Sequence, residues 1–208
     1  MSDTAPNDHE QLMAEILQCA ACRLRLTRNN AVLYRGPIDA PLMLVGEAPG
    51  QQEDTFGKPF VGPSGQLLSR LLARAGIIES RVYLCNVVKC RPPTNRNPTQ
   101  TEIRCCRPWL VGQIQLVKPN VIIAMGKVAT IALTETRGPM NVLLDHDDLT
   151  CSVCKDPSDI PIIPIYHPAY LIRRLDDPRA SEVFKDTVAR LTRGWHQATA
   201  KWDPPAEF

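Results

Sequence analysis

The chain has 208 residues, 44% of them apolar, and a formal net charge of +2. That length supports one compact α/β domain with a substantial core, and so small a net charge singles out no class of partner. No apolar run is long enough to span a membrane, and the polar, acidic start MSDTAPNDHE is unlike a secretory signal; a cytoplasmic monomer is expected. Eight cysteines in such a chain point to metal or redox chemistry ahead of a disulfide framework.

Residues 1–8 read as a flexible tail. Leu12, Met13, Ile16 and Leu17 give helical spacing over 9–18, which runs into Cys19-Ala-Ala-Cys22. Residues 23–41 read as loop. A short apolar run at 42–45 predicts a buried strand, and Gly46, Pro49 and Gly50 turn the chain sharply after it. Ser64 is the expected cap of a helix over 64–75 that carries Leu67, Leu68, Leu71 and Leu72 and ends at Gly76. A second strand is expected over 82–88. The proline-rich stretch 91–98 is loop, and Thr99 or Thr101 caps a helix to about residue 117 that carries Cys105 and Cys106. A third strand falls at 120–124, with a helix from Gly126. Residues 141–160 hold several aspartates and a second CxxC, Cys151 and Cys154, and read as an exposed excursion. A fourth strand at 161–165 ends at Tyr166-His167-Pro168. A last helix covers 178–195, and 197–208 is a second flexible tail. Strands alternating with helices indicate a mostly parallel four-stranded sheet covered by helices on both faces.

Four thiolates at Cys19, Cys22, Cys90 and Cys106 can hold a [4Fe–4S] cluster or a tetrahedral zinc, and spacing alone does not choose between them. Cys85, inside an apolar strand, and Cys105 read as small apolar residues. Cys151 and Cys154 are half a zinc site at most, and are read as separate from the main group. Loops at the carboxyl ends of parallel strands are where open α/β sheets place ligands. Asn86 ends the second strand there. Its amide offers an acceptor and a donor side by side, which matches the N3–H and O4 edge of uracil and not the reversed pattern of cytosine. A lone histidine is usually structural, but His167 ends the fourth strand on the same edge as Glu47 and Asn86. Phe60, between turn residues, reads either as core or as a stacking platform.

Together, GEAPGQQED (46–54), GKPFVGPSGQLL (57–68), YLCNVVKCRPPTNRNPT (83–99), CRPWL (106–110) and YHPAYLIR (166–173) resemble the family 4 uracil-DNA glycosylases, over about residues 19–193. The segment around 145–158 departs from that pattern as an insertion. Asn95-Arg96-Asn97-Pro98 stands where a related group that links covalently to DNA carries a histidine-bearing segment. The resemblance implies a three-layer α/β/α sandwich, a [4Fe–4S] cluster on Cys19, Cys22, Cys90 and Cys106, and a DNA-repair hydrolase. Its substrate would be uracil-containing DNA, from which it flips deoxyuridine and cleaves the N-glycosidic bond. The implied pocket stacks Phe60 on the ring, reads N3 and O4 with Asn86, and meets the base edge with backbone amides near Glu47 and Ala48. His167 would donate to uracil O2 as charge develops there. Glu47 would orient water or favour the cationic sugar. Glu53 is the other candidate for the water, or a bar to the methyl group of thymine. Arg91, Arg96 and Arg173 would meet phosphates, and Leu171 would be the wedge into the space the base leaves. A same-fold enzyme for another base, or a binding module without turnover, are the alternative readings.

Overall fold

The computed structural model describes residues 8–154, 159–200 and Trp202. The N-terminal tail up to residue 7, positions 155–158 of the excursion, and residues 201 and 203–208 lie outside the described residues.

Four strands form one all-parallel sheet: β1 (Leu42–Gly46), β2 (Val82–Asn86), β3 (Val121–Met125) and β4 (Ile162–Ile165), in the order β2-β1-β3-β4. Every strand residue is buried, as expected where both faces are covered by helices. Side chains alternate between two cores with period two. Leu42, Leu44, Val82, Leu84, Val121, Ile123, Ile163 and Ile165 share one core. Met43, Val45, Tyr83, Cys85, Ile122, Ala124 and Ile162 share the other.

The first core is closed by α3 (Pro63–Arg74), α7 (Pro168–Ile172) and α8 (Ala180–Thr199), through Leu68, Leu71, Leu72, Leu171 and Leu191. The second is closed by α4 (Gln100–Val117) and α5 (Lys127–Thr134), through Ile103, Leu110, Ile114 and Leu133. The result is the expected α/β/α sandwich. Helix α1 (Asp8–Gln18) packs on α4. Among the described residues no helix is long and apolar enough to cross a membrane.

Several local expectations change. Gly62, not Ser64, caps α3, because Pro63 takes the first helical position. Thr99 caps α4, accepting from the Glu102 amide while the Glu102 carboxylate accepts from the Thr99 amide at 2.7 Å. A short helix, α2 (Gln51–Phe56), stands where only a turn was expected. Helix α8 continues to Thr199, past the expected start of the C-terminal tail. The excursion is also not a solvated loop. It carries α6 (Met140–Leu144), and Leu143, Leu149, Cys151, Cys154 and Ile160 are buried. Its return pairs with the entry to β4 through Thr150 and Pro161.

The chain passes from β1 to β2 on one side and then to β3 on the other side of β1. The strand order therefore reverses at β1. In open α/β sheets the crevice for a ligand opens at the carboxyl ends of strands where this happens.

Candidate active site

A cavity of about 390 Å³ lies at that edge. It is bordered by Glu47 and Ala48 after β1, Asn86 at the end of β2, and His167 after β4. Phe60, Arg96 and Arg173 complete its wall. Residues more than a hundred positions apart meet because each ends, or follows, a parallel strand.

The loop after β1 is held by Glu53. Its carboxylate accepts the Gly62 amide at 2.8 Å and the Gly50 amide at 3.1 Å, and the side chain is buried. Both oxygens are thus committed to backbone. Glu53 clamps the two ends of the loop, which displaces the expectation that it activates water or screens a methyl group. Asp54, one residue on, is 1% exposed and accepts the Asn29 and Asn30 amides. Glu53 thus holds α2 to the loop after β1, and Asp54 ties it to the segment at Asn29 and Asn30.

Phe60 is buried with φ at +55°. A bulky residue in the left-handed region costs on the order of 1–3 kcal/mol and persists only where its surroundings enforce it. Its backbone is packed directly on α3: a Cβ on Gly65 would sit 1.9 Å from the Phe60 carbonyl oxygen. The strain directs the ring to the end of β1, where a Cβ on Gly46 would lie 2.5 Å from Phe60 Cζ and 2.4 Å from Asn86 Oδ1. Gly46 is therefore the floor on which the stacking ring and the amide converge. The Phe60 and His167 rings face each other at 6.5 Å between centroids, tilted by 34°.

Asn86 is 2% exposed, and its Oδ1 is buried with no protein partner. Leaving a buried acceptor unpaired costs about 1–3 kcal/mol. Its backbone carbonyl, in contrast, accepts from Lys89 Nζ at 2.6 Å. Lys89 is itself 1% exposed and also donates to Gln113, whose amide donates to the Tyr83 hydroxyl. The fold uses Lys89 inside, as the cation that fixes the strand end carrying Asn86.

His167 caps α7, and its Nδ1 accepts the Ala169 amide at 3.1 Å. That bond places the ring proton on Nε2, leaving Nε2–H free to donate. Burial, with the nearby Arg173 charge, lowers its pKa to about 4, so the ring is neutral at pH 7. Gly126, at φ +89°, lies behind it; a Cβ there would stand 3.0 Å from His167 Cβ. Glu47 is pushed up by burial and pulled back by Arg173. The cavity thus combines an acidic group of raised pKa, a neutral imidazole donor and an unpaired amide oxygen.

The remaining site expectations divide. Arg96 lines the cavity, but its guanidinium is held by Glu102 at 2.7 and 2.8 Å. This pairing drives the Glu102 pKa down to about 2. Arg91 is tied to Asn95 at 2.7 Å. Leu171 is 1% exposed within the core shared with Leu68 and Leu191, so it presents no apolar tip to DNA. Four residues after His167 on a helix turn, it points into the protein.

Cys19, Cys22, Cys90 and Cys106 border one small cavity between the end of α1, the loop after β2, and α4, with Cys105 also at its wall. Each of the four sulfurs receives an N–H donor, Cys22 from the Leu24 amide. Trp109 Nε1 lies 3.2 Å from Cys19, Arg28 Nη1 3.0 Å from Cys90, and the Lys89 amide 3.3 Å from Cys106. Burial raises the Cys22 and Cys90 thiols and takes Cys106 to about 12. Among the described residues no three ligating side chains converge as a single metal ion requires. Cys85 is core, as expected. Cys151 and Cys154 lie in the core cluster and not at this cavity. A hydrogen bond from Cys154 lowers the Cys151 thiol below its ordinary value.

Residues 33–192 match the family model of the Uracil DNA glycosylase superfamily. The chain is 38% identical over 186 residues to a type-4 uracil-DNA glycosylase of Thermotoga maritima, covering 85% of this chain and 90% of that one. It is 40% identical over 168 residues to the type-4 enzyme of Pyrobaculum aerophilum, covering 80% and 86%. A third, from Archaeoglobus fulgidus, is 38% identical over 190 residues, covering 88% and 90%. With this likeness running through both cores and all four strand ends, the chain belongs to the uracil DNA glycosylase superfamily and, within it, to the type-4 group.

Proposed function

We propose that this chain is a DNA-repair glycosylase that hydrolyses the N-glycosidic bond of deoxyuridine, releasing uracil and leaving an abasic site. The observation that carries the reading is Asn86 at the cavity wall, its buried Oδ1 without a protein partner, together with a histidine in the same wall whose tautomer is fixed to donate. Uracil satisfies both. Its N3–H donates to Oδ1, and its O2 receives the His167 Nε2–H. Phe60 stacks on the ring, and amides around Glu47 and Ala48 meet the base edge. A base stacked in a duplex is out of reach of such a pocket, so the nucleotide must leave the helix to enter it.

As the glycosidic bond breaks, negative charge grows on the leaving uracil and positive charge on the sugar. A neutral donor already aimed at O2 stabilises the first without reorganising. Glu47, held near Arg173, positions the water or favours the cationic sugar. Arg173, at the rim, meets a phosphate beside the flipped nucleotide. Arg91 and Arg96, each fixed by a neighbour, shape the rim loop as much as they supply charge.

Cys19, Cys22, Cys90 and Cys106 would hold a [4Fe–4S] cluster, one thiolate to each iron. The four sulfurs border one cavity and supply the four thiolates that such a cluster takes. Trp109, Arg28 and the Lys89 amide donate to three of these sulfurs, as N–H groups do to the sulfurs of such a cage. Bound there, the cluster supplies a rigid crosslink between α1, α4 and the loop that leaves β2 toward the cavity rim. The direct test of function is to incubate uracil-containing and control oligonucleotides with the protein and then cleave abasic sites. Strand breaks confined to uracil are expected.

A further inference from the structure

Beside the catalytic cavity runs a second, larger concavity of about 1170 Å³, between α4 and α5. Four cations line it: Arg104 and Arg107 from α4, Lys127 at the start of α5, and Arg137 beyond its end. Glu135 is its single acid, so the lining carries four positive charges against one negative, more than the +2 of the whole chain. Glu135 is spent on Arg107, at 2.7 Å. Among the described residues Arg104, Lys127 and Arg137 form no ion pair, and all three are exposed. Unpaired cations gathered on one concave wall raise the local potential for an anion.

Position says which anion. Asn97 borders both this groove and the catalytic cavity. Lys127 follows Gly126, whose α-carbon backs directly on His167. The groove therefore leaves the rim of the cavity and runs along α5. A flipped nucleotide stays covalently joined to its neighbours on both sides, so the strand must leave the cavity in two directions. We propose that the groove between α4 and α5 is a phosphate track for the DNA strand on one side of the flipped nucleotide, with Arg104, Lys127 and Arg137 as its contacts. The proposal rests on the reading of the cavity as the base site, but it concerns affinity and not bond cleavage. The contacts carry no base information; they set register and hold the strand.

Salt dependence separates such contacts from all others, because each neutralised phosphate adds about 0.9 to the slope of log K against log salt for duplex DNA, and about 0.7 for a single strand. The experiment compares wild type with the combined Arg104→Ala, Lys127→Ala and Arg137→Ala protein. Binding is read by anisotropy on duplexes containing 2′-fluorodeoxyuridine, which resists cleavage, and on the same duplexes with thymine. Expected is a slope shallower by about 2 to 3 units on both DNAs. Trimming the flank on one side of the uracil should abolish the difference, and trimming the other side should not. The single-turnover rate at saturating enzyme should be unchanged, which keeps this test apart from that of the cavity. A control with Arg104→Lys, Lys127→Arg and Arg137→Lys should keep the wild-type slope. An unchanged slope in the alanine variant overturns the proposal, leaving the groove to another acidic partner. So does a loss that persists whichever flank is trimmed.

Discussion

Replacing Asn86 by leucine should separate folding from function in an unusual direction. The side chain is buried and its Oδ1 has no protein partner, so the free protein carries a desolvation cost of about 1–3 kcal/mol at this atom. Leucine is similar in size and has nothing to desolvate. The backbone carbonyl that Lys89 holds is untouched by the change. Asn86→Leu should therefore be no less stable than wild type, and up to about 2 kcal/mol more stable. For a chain of this length each kcal/mol moves the melting temperature by about 2–4 °C. Uracil excision should fall by about 10⁴-fold, the scale seen when a site built to hydrogen-bond loses its partner. Thermal melting by circular dichroism and single-turnover excision on a uracil oligonucleotide read the two halves. A variant that melts well below wild type would show that Asn86 is a structural amide. One that melts normally and still excises uracil would remove it from base reading.

Four further outcomes follow from the same geometry. His167→Ala should slow single-turnover excision by a factor corresponding to about 2.7–4 kcal/mol, with little change in affinity for uncleavable uracil DNA, since the bond to O2 strengthens mainly in the transition state. Because the His167 pKa is near 4 in the fold and about 6.5 when unfolded, the unfolded chain binds the extra proton between those values. Stability is then complete above pH 6.5 and falls as pH drops toward 4, and His167→Gln should flatten that part of the pH–stability curve. Glu53→Ala should lower stability by about 3 kcal/mol, by removing two charge-assisted bonds to loop amides; unchanged melting would mean the loop holds itself. Protein purified without oxygen should be brown with about four irons per chain, and chelation should lower its melting temperature, whereas a colourless protein with one zinc would refute the cluster.

Much of the site is legible in the sequence because topology and chemistry agree. Glu47, Asn86 and His167 each follow an apolar run that can only be a buried strand, and parallel strands bring their carboxyl ends to one edge. The failures have a common cause. Leu171 and Glu53 have side chains whose type suits a DNA wedge and a base, but type does not reveal which way a short helix or loop turns. In α7 the apolar residue four places after His167 faces the core, and the carboxylate in α2 faces two amides. The inward role of Lys89 is hidden for the same reason: lysine is seldom buried, and only the fold brings Gln113 and the Asn86 carbonyl around it. The excursion at 141–160 reads as solvated from its aspartates, while its few apolar residues and both cysteines decide its placement. The groove between α4 and α5 is invisible to sequence because Lys127 and Arg137 lie far from Arg104 along the chain.

One measurement separates base excision from mere binding most directly. Wild-type protein, in excess over oligonucleotides that differ only in carrying uracil, cytosine or thymine at one position, is assayed for released base in a single turnover. A uracil-specific glycosylase releases free uracil rapidly, releases no cytosine or thymine, and leaves an abasic site in an otherwise intact strand. Equal release of two bases, or tight binding of uracil DNA without release, would contradict it.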